Sequence, residues 1–142
     1  MDKKWHPVST NEGFFAAPLF IASKLFNNKK FNKAAIKVAD HYAARHITMD
    51  EPYWGGTLDA TCEDKEGAWA GFQAFLYAYE FSGEEKYLDW AKHAAYVSLS
   101  YTSVWNIDMP AGRLADHNFK TLGWTMVSPQ NQHLDVYGVL FA

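Results

Sequence analysis

Slid against itself by 56 positions without gaps, the chain matches its own pattern. Residues 25–40, LFNNKKFNKAAIKVAD, fall on residues 81–96, FSGEEKYLDWAKHAAY. Leu25 meets Phe81, Phe31 meets Tyr87, Ala35 meets Ala91 and Ala39 meets Ala95; upstream, Leu19 meets Phe75 and Ala22 meets Ala78. The matches are of character more than identity, and they keep helical spacing. An internal repeat restricts a chain to stacked copies of one supersecondary unit, each burying the apolar face of its neighbour.

Each unit reads as helix, tight turn, helix. In the second, a helix from about Lys65 to Phe81 carries Ala68, Trp69, Phe72, Phe75, Leu76, Tyr77 and Tyr79 around its whole circumference, the pattern of a helix buried on every side. SGEE, 82–85, makes the turn. The helix that follows, about 84–100, puts Tyr87, Trp90, Ala91, Ala94, Ala95 and Leu99 on one stripe and Glu84, Glu85, Asp89 and Lys92 opposite. An inner helix is thus followed by an outer one. The first unit repeats this with Phe14–Phe26 inner and Lys30–His46 outer, and Pro18 either kinks the inner helix or moves its start. A third unit opens at SPQNQHLDVYGVLFA, 128–142, with Ser128 as N-cap, Pro129 at the first helical position and Val136, Val139, Leu140 and Phe141 as its apolar residues. The expected fold class is all-α: one partial domain of antiparallel helical hairpins, with hairpin 1 at about 9–46, hairpin 2 at about 64–101 and the start of hairpin 3 at about 128–142.

The connections alternate in length. Inner-to-outer turns are short, whereas the outer-to-inner links at 47–64 and 102–127 are long. Antiparallel helices then gather the long links, and the amino ends of the inner helices, at one end of the molecule. Three polar mouths are expected there: STNEG, where Ser9 and Glu12 form a capping box, CEDKE, and SPQNQHLD. Loops that carry Trp, Tyr, Asp, His and Asn are where function concentrates.

Composition narrows the class. A hydrophobic content of 49% with 20% charged residues belongs to a globular chain, and a net charge of −3 with scattered lysines lacks the basic face that nucleic acid requires. No run reaches the length of a membrane span, and the opening MDKKWHPVSTNEG has no apolar stretch of a signal peptide; the parent protein's compartment, periplasmic or secreted included, stays open. The single cysteine, Cys62, leaves no internal disulfide and no cysteine-rich metal site, and the sequence holds no Gly-rich phosphate loop or His-Glu-x-x-His motif; no metal and no cofactor are expected. Aromatic residues reach 17%, more than a small helical core needs, and flat rings with polar edges suit sugar faces.

The stretch EFSGEEKYLDWAKHAA resembles the turn and outer helix repeated in the six-hairpin glycosidase superfamily, and TLDATCEDKEGAWAGFQAF and VSPQNQHLDVYG are similar to inner-helix mouths of its bacterial carbohydrate-active members. The resemblance covers about two and a half of six hairpins. It implies an (α/α)6 toroid fragment whose active-site cavity lies at the inner-helix amino ends, with carboxylates as acid and base. Glycoside hydrolysis takes two carboxyl groups, one protonated and one ionised. Glu63, Glu66 and Asp135 are the catalytic candidates. Trp54, Asp64, Trp105, His117, Asn118, Asn131, Gln132 and His133 are the candidates for holding the sugar. Each has a plainer reading. Asp64 or Thr61 serves as N-cap, the first-turn acids answer the helix dipole, Lys65 pairs with one of them, Asp135 ties its mouth to the 102–127 loop, and Asp116 with His117 organises that loop. Cys62 reads as a packed small residue at a helix start.

The expected function is that of a carbohydrate-active protein, part of a glycoside hydrolase-like enzyme, inactive where the ring of hairpins is not closed. Its expected partners are a carbohydrate ligand and either the remainder of the toroid or another copy covering the apolar residues 136–142, with no nucleic acid and no membrane. A non-catalytic glycan-binding domain and a helical-repeat interaction scaffold are the alternatives. The scaffold places its ligand along a concave face, the other two at converging helix mouths.

Overall fold

The computed structural model describes residues 11–50, 64–128 and 134–135. Within them the chain runs through a 3-10 turn at Asn11–Phe15, α1 (Ala16–Phe26), α2 (Lys29–His46), α3 (Lys65–Ser82), α4 (Glu85–Ser100), the short α5 (Arg113–Asp116), β1 (Thr125–Met126) and β2 (Leu134–Asp135). The two expected hairpins are present, α1 with α2 and α3 with α4. The protein is mainly helical, with one two-residue antiparallel ribbon of β1 and β2.

Local chemistry fixes the helix ends. Asn27 takes the left-handed conformation, at φ 48°, that closes α1, and the Asn28 side chain accepts the Lys30 amide at 3.0 Å to start α2. Gly83, at φ 72°, does for α3 what Asn27 does for α1. Pro18 moves the start of its helix. The α-helical hydrogen bonding begins at Ala16 after the 3-10 turn, so proline occupies the first turn, where an amide has no intrahelical partner.

Helix α3 is the central element, touching α4, α1, α2 and the 3-10 turn. It runs parallel to α1. Along the pair, an ideal Cβ on Gly13 would sit 3.2 Å from Ala70, Phe14 meets Trp69 at 5.8 Å, Phe20 stacks on Tyr77 at 6.2 Å, and Lys24 lies 3.9 Å from Glu80. The amino ends of both inner helices therefore share one end of the molecule. Between the hairpins stands Tyr42 of α2, which donates a buried hydrogen bond of 2.7 Å to the Gly67 carbonyl and sets its ring edge against Phe75. The small buried face of α3, made by Gly67, Ala68, Ala70, Gly71, Ala74 and Ala78, admits that ring. Trp90 closes the other side, edge-on to both Phe75 and Tyr87, and the Tyr87 hydroxyl reaches Asp40 at 2.9 Å.

Three expectations are corrected. Helix α3 is not buried on every side: Ala68 and Phe75 are buried, whereas Trp69, Phe72, Leu76, Tyr77 and Tyr79 are half-buried, because two hairpins cover only part of its circumference. Leu99 ends the α4 stripe exposed rather than packed. The helix expected from Ser128 onward does not include Leu134 and Asp135, which are extended and pair with Met126 and Thr125. Polar partners at the α3 mouth hold these two residues in that pairing. Residues 136–142, expected as apolar helix, lie outside the described residues, as do Ser9 and the Glu12 side chain of the expected capping box.

A Cβ built on Gly71 would stand 2.5 Å from Cε1 of Tyr42. Gly71→Ala should therefore lower stability by about 1–3 kcal/mol through overpacking. In urea unfolding the midpoint should fall while the slope stays constant; an unchanged midpoint would contradict the close approach of α2 to α3.

Candidate functional site at the amino end of helix α3

Lysine is an unfavourable choice for the first residue of a helix, since the amino end already carries partial positive charge. Lys65 holds that position, and its side chain is only 1% exposed. A buried ammonium requires nearby opposite charge and hydrogen-bond acceptors. Its Nζ forms an ion pair with Oδ2 of Asp135, lies 3.7 Å from Oε1 of Glu66, and reaches Oγ1 of Thr125 at 3.5 Å. The second Asp135 oxygen accepts the Thr125 hydroxyl at 2.5 Å. Backbone completes the joint: the Lys65 amide donates to the Val127 carbonyl at 2.9 Å, and Met126 donates to Tyr101. Strands β1 and β2 thus meet the start of α3 on one lysine, and β1 is bonded in turn to the end of α4.

Asp64 is the N-cap. Its backbone is extended and its carboxylate accepts the Gly67 amide at 2.5 Å, buried. That is the plainer of its two readings. Glu66 differs. Its side chain is about one-third exposed, and its carboxyl is held above the usual 4.5, first by desolvation and then by the negative charges of Asp64 and Asp135, with Lys65 opposing. Of the expected site residues, Asp64, Glu66 and Asp135 are brought together. The amino end of α3 and the strand at Leu134–Asp135 meet at Lys65.

The other expected residues fall elsewhere. Trp105, His117 and Asn118 are exposed on the link from α4 to β1. That link is internally tied: the Thr121 hydroxyl donates to the Trp105 carbonyl at 2.8 Å and accepts the Ile107 amide, Ser103 and Gly123 bond across it, and Phe119 packs on Trp124 at 5.0 Å. His117 follows α5 as its C-cap, and Asn118 takes a left-handed conformation at φ 51°, so both serve the turn. Among the described residues these three stand apart from the Lys65 cluster, on a link tied to itself. Trp54, Glu63, Asn131, Gln132 and His133, together with Cys62 and Thr61, lie outside the described residues.

Two residues central to the cluster were not expected as site residues, Lys65 and Thr125. The lysine had a readable signal, a cation where the helix dipole disfavours one. Thr125 had none, since its role comes from a strand pairing ten residues apart in sequence. A cavity of about 390 Å³ opens at the opposite, short-turn end, between Phe81 and the lysine-rich start of α2, and is lined by apolar surface away from any carboxylate cluster. The polar chemistry rather than the larger hollow marks the candidate site. Among the described residues no group of three or more His, Cys, Asp and Glu side chains is placed to hold a metal, and no helix is long and apolar enough to cross a membrane. Comparison with protein-family models, with curated proteins and with solved structures finds no match.

Lys65→Met should destabilise the fold by about 3 kcal/mol, the low end for a broken buried pair because Asp135 keeps some contact with water. Asp135→Asn should cost less in the Lys65→Met background than in the wild type, a coupling readable from a double-mutant cycle of denaturation curves. Additive losses would mean that the pair is not a pair in solution. Glu66 supplies a separate test. Its folded-state carboxyl takes up a proton more readily than the unfolded one, so folded protein binds more protons above the usual 4.5 and stability declines as pH rises through that window. Relative to wild type, Glu66→Gln should gain stability as pH is raised through that window; a parallel pair of stability–pH curves would contradict the upward shift.

Proposed function

We propose that the chain is part of a carbohydrate-active protein of the glycoside hydrolase kind, with its sugar-binding site at the amino end of α3. The observation that supports this reading is the pairing of unlike carboxyl groups around Lys65. Glu66 is held toward its protonated form at the edge of solvent, while Asp135 sits in an ion pair. Glycosidic cleavage uses such a division: a protonated carboxyl delivers its proton to the departing oxygen, and an ionised one stabilises the positive charge that develops on the ring. In this scheme Glu66 is the proton donor, Asp135 the ionised carboxylate and Lys65 the residue that keeps it so. Trp105, an exposed ring on the adjoining link, is the described candidate for stacking against a sugar face. Glu63, Trp54, Asn131, Gln132 and His133 remain part of the proposal on sequence grounds alone, and the toroid of six such hairpins is the architecture it fits.

One observation favours the binding-only alternative. Both Asp135 oxygens are engaged, one by Lys65 and one by Thr125, which suits an anchor as well as a catalyst. A panel of oligosaccharides, followed by calorimetry for binding and by reducing-end release for turnover, separates the two using the parent protein and its Glu66→Gln variant. A hydrolase should bind in both forms and lose turnover by about 10²–10⁴-fold in the variant. Binding without turnover in the parent selects the glycan-binding domain, and no binding to any sugar contradicts both.

A further inference from the structure

The repeat relates not only the two hairpins but also the faces they leave uncovered. Within the chain, hairpin 1 offers hairpin 2 a face made by Ala16, Ala39, Tyr42 and Ala43, all buried in the common core. Adding the repeat offset gives Phe72, Ala95, Ser98 and Leu99, and these four line an open cavity of about 60 Å³ on the far side of α3 and α4. Beside it the Asp40 equivalent, Tyr96, is 73% exposed and Leu99 is 51% exposed. In the other direction, hairpin 2 meets hairpin 1 through Tyr77 and Phe81, whose rings pack on Phe20. Their equivalents on hairpin 1 are Ile21 and Leu25, 42% and 75% exposed. Hairpin 1 therefore shows the surface that hairpin 2 uses to dock, and hairpin 2 shows the surface that hairpin 1 uses to receive it.

Charge agrees with the apolar pattern. Inside the chain, the turn region 80–86 brings Glu80 and Lys86 against Lys24 and Asp40, and α2 carries Lys29, Lys33 and Lys37 along the adjoining groove. In the equivalent positions the Lys24–Glu80 polarity is exchanged, while Lys86 falls on Lys30 and Asp40 on Tyr96. Residues 24–30 carry Lys24, Lys29 and Lys30 with no acid, while α4 carries Glu85 and Asp89 where α2 has Lys29 and Lys33, and Glu80 stands where α1 has Lys24. A basic turn thus meets a face that carries Glu80, Glu85 and Asp89, with Lys92 paired to Asp89 among them.

We propose that copies of this chain associate head to tail, hairpin 1 of one copy packing on the α3–α4 face of the next as hairpin 2 packs on hairpin 1 within the chain. Ile21 and Leu25 would enter beside Leu76, as Tyr77 and Phe81 pack on Phe20, and Lys24 of the incoming copy would face Glu80. Such a heterologous contact uses two different patches, so it extends into a ring or a filament instead of stopping at a two-fold dimer. The proposal uses none of the sugar-site residues, and further hairpins closing a toroid within one chain would occupy the same two faces, so the two architectures are alternatives that the mass of the assembly separates.

Light scattering and sedimentation of the full chain over a range of concentrations, with the variants Leu25→Glu and Leu99→Glu, test it. Both substitutions are at exposed positions, and circular dichroism checks that helix content is kept. Wild type should grow beyond a dimer as concentration rises. Each variant alone should stay monomeric, having one face spoiled. Mixed in equal amounts, the two variants should form a capped assembly of twice the monomer mass and no larger, since Leu25→Glu keeps a sound α3–α4 face and Leu99→Glu a sound hairpin 1 face. A monomeric wild type, or a mixture that fails to double in mass, overturns the proposal; the first result would mean that something other than a second copy covers these faces. Variants that each still form dimers would assign the contact to other surfaces and overturn it as well.

Discussion

A lysine ammonium sealed from water at the amino end of a helix is the constraint around which this end of the molecule is organised. Its position is unfavourable twice over, because burial penalises the charge and the helix dipole repels it. The sequence answers with acids on either side in the chain and with a third brought from the strand at 134–135. Asp64 caps the helix, Glu66 stays at the water's edge and Asp135 takes the ion pair. The charged mouth in front of an apolar helix is therefore not ornament on a buried rod. It compensates a cation that the fold places inside, and it draws β1, β2 and the end of α4 onto α3.

Behind that mouth the two hairpins fit through a contrast of sizes. Helix α3 presents glycine and alanine toward α2, and α2 sends in Tyr42, whose hydroxyl is satisfied by the Gly67 carbonyl. Because the ring occupies the space a Cβ on Gly71 would need, contact between the hairpins and the hydrogen bond to the first turn of α3 are set by one side chain. The mouth and the packing layer are thus linked. Whatever shifts Tyr42 shifts the turn from which Lys65 and Glu66 project.

Much of the helical layout could be read from the residues, since repeat, turn chemistry and apolar spacing all point the same way for the two hairpins. SGEE and the Asn-Asn pair announce turns, and each of the four long helices lies within about two residues of its expected span. Burial was less readable. The apolar circumference of α3 suggests complete enclosure, but enclosure depends on how many neighbours surround a helix, which its own pattern does not state. The site was readable in part. Glu66 and Asp135 meet around Lys65, while Asp64 caps the helix. The Lys65–Asp135 link joins residues seventy positions apart, and no periodicity within either segment reports a pairing at that distance. The strand at Leu134–Asp135 was hidden for the same reason, its conformation being dictated by partners outside its own stretch.

The same linkage gives the candidate site its chemistry. One ammonium holds one carboxylate ionised, and the low polarity that makes the pair strong also leaves its neighbour Glu66 reluctant to ionise. Everything about the site follows from Lys65 being buried and paired. Competitive acylation of all the lysines of the native protein by an amine-reactive ester, resolved residue by residue by mass spectrometry, tests that directly. Lys65 should react far more slowly than exposed residues such as Lys92, and should become reactive once the protein is unfolded; labelling of Lys65 as fast as Lys92 in the native state would contradict the account.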